Sequence, residues 1–299
     1  MNKLRSFTLL GISIMAMVLS ERLYHFLTDG FSLHRISHST SSPSPFNEIT
    51  LFDPTTRKEI DEALLQDFHY LDSGSQCFVF VSQDRKYVLK FFKHHRWRLS
   101  FLEQLWLSLP FCKDIKEKKL NKKYNSHVDT YKSYCTSFEK FRKKTGLLLI
   151  HLSTRGKEFP VVTIQDRIYR KYRVPLNNFT FLLQRRAIPM AQYIDQCGRD
   201  TQKIRRLIIE YINFIEERAL LGYLNKDPSF ARNFGVSNDS LVEIDIGGCF
   251  QDPKKDIHYF YSQELSQIEE KLCAFFKKNP SLCKFIREEI QCKKKSLSR

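Results

Sequence analysis

Leu241-Val242-Glu243-Ile244-Asp245-Ile246-Gly247 is the stretch on which the reading of this chain turns. A β-branched, apolar run ends in an acidic residue and then a glycine. A strand of this kind brings a carboxylate to its end, and the glycine lets the chain turn away. Asn233 lies twelve residues upstream, and Asp227 six before that. Asp, Asn and Asp in this order, across a short strand-turn-strand segment, point to a metal-nucleotide site. Their oxygens are the hard ligands that suit Mg2+.

Working outward, Ile204, Leu207, Ile208, Tyr211, Ile212, Ile215 and Ala219 recur at spacings of three and four, which predicts a helix that Gly222 closes. Beyond the acidic segment, Asn279-Pro280 separates two predicted helices, about 261–277 and 280–292. The N-terminal half is β-rich. Phe68 to Phe80, broken by the turn residues Asp72-Ser73-Gly74-Ser75, and Tyr87-Val88-Leu89-Lys90-Phe91-Phe92 predict a three-stranded antiparallel meander. Asp53-Pro54 opens a helix ahead of it, with Ile60, Ala63 and Leu64 on one face. A basic helical region covers about 95–144 and ends at Thr145-Gly146. Strands follow at 147–152, in a hairpin around Asp166-Arg167, and at 179–184.

In this order the segments resemble the protein-kinase-like fold from about Phe68 to Phe250: an α+β, two-lobe architecture with an antiparallel N-lobe sheet plus helix and a reduced helical C-lobe. Asp72-Ser73-Gly74-Ser75-Gln76-Cys77-Phe78-Val79 overlies the family's Gly-x-Gly-x-x-Gly-x-Val loop, keeping only the central glycine. Asp72 and Cys77 take the outer glycine positions, and a carboxylate there repels phosphate. Tyr87-Val88-Leu89-Lys90 resembles the Val-Ala-Ile-Lys strand. The resemblance implies that Lys90 pairs with nucleotide phosphates and with a helical glutamate, Glu139, with Glu103 as its rival. Gly74, Ser75 and Val79 then cover the nucleotide, and Gln184 and Ala187 fall at the adenine-reading hinge.

The resemblance further implies that Asp227 is the catalytic residue that orients and deprotonates an acceptor hydroxyl, and that Asn233 and Asp245 are the Mg2+ ligands beside ATP. The family spaces its catalytic Asp and metal-binding Asn by five residues, and here the spacing is six. No Ala-Pro-Glu motif follows Gly247, and the remaining roughly 50 residues suit a compact, atypical bacterial type rather than a full protein-kinase C-lobe. The segments Thr145-Gly146-Leu147 to His151-Leu152, Phe181 to Gln184 and Asn233-Phe234-Gly235 also resemble a kinase-like family of intracellular bacteria of the chlamydial type.

The expected organisation is a signal peptide or N-terminal membrane anchor at 1–22, a Ser/Pro-rich linker at 36–48, an N-lobe at 49–184 with a basic insertion about 95–125, and a C-lobe at 185–299. The apolar run Phe7 to Leu19, behind Lys3 and Arg5, reaches only about 20 Å as a helix, against about 30 Å of hydrocarbon. Leu23, Phe26 and Leu27 offer to extend it as a short transmembrane helix. Either reading makes the protein membrane-associated or exported, with its side of the membrane open.

The net charge of +16 favours anionic partners. It concentrates between Asp84 and Lys144, where 17 Lys/Arg face 6 Asp/Glu, and an acidic partner at this insertion is expected. The eight cysteines show no Cys-x-x-Cys pair and no zinc spacing, and are expected to be buried reduced thiols. Three functions remain open: a Mg-ATP-dependent phosphotransferase acting on a hydroxyl, a pseudokinase serving as a membrane-associated interaction module, and a basic nucleic-acid- or lipid-binding protein. The last lacks the interleaved aromatic and glycine patterns of common RNA modules.

Overall fold

The computed structural model describes residues 2–37, 53–153, 158–197, 200–251 and 257–297. In chain order its elements are α1 (Asn2–Leu27), α2 (Leu33–Ile36), α3 (Pro54–Leu64), β1 (Phe68–Ser73), β2 (Cys77–Ser82), β3 (Tyr87–Phe92), α4 (Phe101–Trp106), α5 (Lys113–Thr145), β4 (Leu147–His151), β5 (Val161–Gln165), β6 (Lys171–Pro175), β7 (Phe181–Arg185), β8 (Ile188–Pro189), α6 (Met190–Cys197), α7 (Thr201–Leu220), β9 (Tyr223–Asn225), α8 (Phe230–Asn233), β10 (Phe234–Ser237), β11 (Ser240–Glu243), β12 (Cys249–Gln251), α9 (Ile257–Phe275) and α10 (Pro280–Leu297). The architecture is mixed α and β, with a seven-stranded sheet of order β4-β7-β3-β2-β1-β5-β6. Two compact units divide the chain: Met1–Leu120 with His151–Leu183, and Asn121–Ile150 with Gln184–Arg299. Most of the Ser/Pro-rich linker expected at 36–48 lies outside the described residues.

In the first unit, β1, β2 and β3 form the expected antiparallel meander. Phe78 pairs with Phe91 and Phe80 with Leu89, and all four are buried. The alternate positions pair Val79 with Lys90 and Val81 with Val88. Directly opposed residues put their side chains on the same face, so Val79 and Lys90 share one side of the sheet. α3 starts where Asp53 accepts a hydrogen bond from the Thr56 N–H (2.9 Å), and Ile60, Ala63 and Leu64 are its buried face.

The core of this unit begins before Ile49. Phe31 and Ile36 are fully buried, and the Phe31 ring meets Phe78, Phe80 and Tyr172 edge-on at 5.2–5.8 Å. Asp29 ties this segment down, accepting from Tyr70 (2.9 Å) and pairing with Arg167 (2.7 Å). The transmembrane reading of the N-terminus does not hold. No helix among the described residues is long and apolar enough to cross a membrane. α1 has 26 residues, but Lys3, Arg5, Glu21 and Arg22 bound its apolar run, which is too short for the bilayer core.

In the second unit, α7 buries Ile204, Leu207, Ile208, Tyr211, Ile212 and Ile215, as its spacing predicts, and Gly222 leaves it at φ +82°. These side chains share a core with Phe141 of α5, Leu265 and Ile268 of α9, and Ile286 and Ile290 of α10. α5 breaks helical geometry at Phe141, whose ring meets Phe214 and Tyr223 edge-on. It ends at Gly146, φ +65°. β10 and β11 form a hairpin through Asn238 and Asp239, both in the left-handed region. That is the backbone of a two-residue type I′ turn, which these residue types tolerate. The hairpin delivers Glu243 and then Asp245 next to the end of α8.

Candidate functional site

Asn233, the last residue of α8, holds the acidic segment together. Its carbonyl accepts from the N–H of Ile244 (2.7 Å) and of Asp245 (3.3 Å). Its side-chain Nδ2 donates to the carbonyl of Asp227 (2.6 Å), which leaves the amide oxygen as its acceptor end. Asp227, Asn233 and Asp245 are thus tied through one residue. The six-residue step from Asp227 to Asn233 is taken up by a tight turn at Pro228, where the Ser229 N–H donates to the Asp227 carbonyl (2.8 Å), and by the single turn of α8. The Gly247 N–H lies 3.5 Å from Asp245 Oδ1. Ser133 of α5 spans the same turn, donating to the Ile246 carbonyl (2.5 Å) and accepting from the Cys249 N–H (2.9 Å).

Beneath this turn lies a buried ionic cluster. Arg218 of α7 is fully buried and contacts Glu243 (3.3 Å) and Glu264 (2.5 Å). Asn225 donates to Glu243 (2.9 Å) and accepts from the Asp227 N–H (2.9 Å), so the cluster is wired to the Asp227 loop. Gly248 lies so close to Asn225 that a Cβ would strike its Oδ1. Burial pushes the Glu243 carboxyl up to about 7, against the pull of Arg218 and Asn225. Burial likewise raises Glu264, while the two carboxylates raise Arg218. One guanidinium serves two buried carboxyls, so one of the pair keeps a proton far above the ordinary carboxylate range.

The Asp227 carboxylate is half-exposed and paired twice, with Arg232 at 3.0 Å and Lys271 at 3.1 Å. Beside it lies a cavity of about 340 Å³, lined by Tyr211, Phe230, Leu272 and Phe275, with Arg232 and Lys271 among its walls. Among the described residues no group of three or more His, Cys, Asp or Glu side chains is arranged to hold a metal ion. Asn233 and Asp245 supply one amide oxygen and one carboxylate on a shared backbone. Mg2+ bound through one or two protein oxygens takes the rest of its shell from water and phosphate, and one amide oxygen with one carboxylate is a donor set of that kind.

The structure puts Lys90 and Val79 in the first unit, cross-strand neighbours on β3 and β2. Gly74 and Ser75 sit in the exposed loop between β1 and β2. That loop is fixed by cations: Lys93 donates to Ser73 Oγ (2.7 Å) and the Gly74 carbonyl (2.6 Å), and Arg96 donates to the Ser75 carbonyl. Lys93 and Arg96 were not among the expected site residues. Glu103 closes the capping box of α4 with Ser100 and pairs with Lys119 at 2.6 Å, which accounts for its carboxylate. Glu139 is exposed on α5 in the second unit. Gln184 is buried there, its side chain donating to the carbonyls of Thr145 (2.6 Å) and Glu243 (3.2 Å). Ala187 precedes β8, where its Cβ would sit 3.1 Å from one added to Gly235.

Ser133, Arg218 and Glu264 are structural parts of the site that the sequence reading missed. Each sits in a helix, and no motif marks it. The one available signal was the polarity of Arg218 and Glu264 at positions next to apolar helical stripes.

No family model matches the chain, and no curated protein does. Among solved structures, the chain is similar at 13% identity to one described as the complex structure of Rv3197-erythromycin from Mycobacterium tuberculosis, covering 93% of this chain and 75% of that one. The TM-score of 0.34 makes this a loose likeness that carries no argument about fold or activity.

Proposed function

We propose that this chain is an atypical kinase-like protein that binds Mg-ATP through its second unit and transfers phosphate to a hydroxyl acceptor. The observation that supports this best is the convergence of Asp227, Asn233 and Asp245 through the backbone and side chain of Asn233. In this reading Asp245 and Asn233 hold Mg2+, which neutralises phosphate charge. Asp227 orients the acceptor hydroxyl and takes its proton. The apolar cavity beside Asp227 seats the body of a small acceptor. The kinase-like two-lobe arrangement, with the meander as N-lobe and α7, α9 and α10 in a reduced C-lobe, belongs to the same proposal.

A second reading, a pseudokinase, draws on one specific observation. Both oxygens of Asp227 are engaged by Arg232 and Lys271, which opposes its use as a base. Incubating the full chain with Mg2+ and γ-labelled ATP, with and without small hydroxyl acceptors, separates the two. Thermal stabilisation by Mg-ATP with label transfer, lost in Asp227→Asn, supports the transferase. Stabilisation without transfer selects the pseudokinase. No stabilisation at millimolar nucleotide rejects both.

A further inference from the structure

The segment from Leu99 to Phe111 is built around a small core of its own, Leu99, Leu107 and Cys112. The Ser100–Glu103 capping box and the Glu103–Lys119 pair fix α4 against the start of α5. A segment this well held has no need to display apolar side chains, yet six large ones point outward. Phe101 is 77% exposed, Leu102 74%, Leu105 62%, Trp106 54%, Leu109 41% and Phe111 77%. Isolated exposed apolar residues are ordinary, whereas a contiguous group on one short, ordered segment marks an interaction surface.

The charges around the group identify what it meets. Between Lys93 and Lys119 seven Lys/Arg stand against three Asp/Glu, and Arg96, Lys113 and Lys118 are exposed. Phe, Leu and Trp framed by lysine and arginine are the composition of a surface that lies in the headgroup layer of an anionic bilayer. The apolar side chains enter the acyl boundary, Trp sits at the interface and the cations meet lipid phosphates and carboxylates. The net positive charge of the stretch complements the anionic phosphates and carboxylates of such a surface.

α1, with Met15, Met17, Leu23 and Phe26 among its exposed apolar side chains, leaves the same unit nearby in the fold. α1 runs into α2, α2 packs on residues 94–97, and Arg98 donates to the Ser37 carbonyl immediately before α4. We infer that the Phe101–Phe111 segment is a peripheral membrane-docking surface that lies on anionic lipid without spanning the bilayer. Occupation needs no nucleotide and does not depend on the kinase-like reading.

The test is co-sedimentation of the full chain with vesicles of phosphatidylcholine containing about 30% phosphatidylserine, against pure phosphatidylcholine. A Trp97→Phe background leaves Trp106 as the single tryptophan and its emission as a second readout. Expected are binding at least about tenfold tighter to the anionic vesicles, weakened by salt, and a blue shift of Trp106. The triple variant F101S/W106S/F111S should lose about tenfold or more of that affinity while its melting curve stays unchanged. A companion variant, K113E/K118E, should lose the preference for anionic over neutral vesicles. Equal binding by F101S/W106S/F111S and the parent would assign the attachment to α1 and overturn the inference. So would absence of vesicle binding together with a concentration-dependent dimer that the triple variant disperses, which would give the surface to a second copy.

Discussion

Arg218, Glu243 and Glu264 set the energetics beneath the candidate site. A buried ion cluster of this kind adds little net stability, because desolvation opposes the Coulomb attraction, but breaking it is costly. Arg218→Met leaves two buried carboxyls without their cation and should destabilise the protein by about 3–5 kcal/mol, measured by denaturant unfolding. The pH dependence follows from Glu243. An unfolded chain releases this proton near 4.5, and the folded chain keeps it to about 7. Between those values the folded state binds more protons, so the group's contribution to stability falls as pH rises through that window and is lowest above 7. Glu243→Gln keeps the shape and the acceptor, and should flatten the stability profile between pH 5 and 7 relative to the parent. At this scale Asp227, Asn233 and Asp245 could be read from residue type and spacing. The hydrogen bonds that join them could not, since backbone donors and acceptors leave no trace in side-chain identity. Ser133 reaches the site from more than a hundred residues away, a placement that only the folded chain defines.

At the scale of elements, regular burial was legible and irregular burial was not. α3 and α7 carry clean periods of 3.6, because each presents one face to a core, while β2 and β3, buried on both faces, read as continuous apolar β-forming runs between turn signals. Phe31 and Ile36 carry no period. They are single anchors in a short stretch between a hydrophobic helix and a Ser/Pro run, and that setting reads as a leader and its linker. Their burial predicts that Phe31→Ala costs about 3–5 kcal/mol in thermal or denaturant unfolding. It also predicts that a chain starting at Ile49 fails to reach native stability, whereas one lacking residues 1–20 keeps it. Equal stability of all three chains would remove this segment from the fold. If the N-terminus is cleaved as a signal peptide, Asp29, Phe31 and Ile36 must stay with the mature chain. The transmembrane alternative failed at this scale too, because a length of 26 residues conceals an apolar run bounded by charge.

For the whole molecule, the basic excess of residues 84–144 lies chiefly along α5, whose first turns follow the exposed Phe and Trp side chains of α4. Composition alone could announce an anionic partner but not where it binds, because exposure is a property of the fold. The mixed α and β architecture was legible for the same reason its elements were. The proposed site rests on Asp227, Asn233 and Asp245, all of the second unit. The most direct measurement is calorimetric titration of full-length protein with ATP in the presence of Mg2+, repeated in EDTA and with Asp245→Asn. Expected is saturable one-to-one binding that needs Mg2+, falls at least about tenfold in the variant, and leaves its unfolding midpoint within a few degrees of the parent. Absence of binding by the parent chain, or equal affinity with and without Mg2+ and in Asp245→Asn, would contradict it.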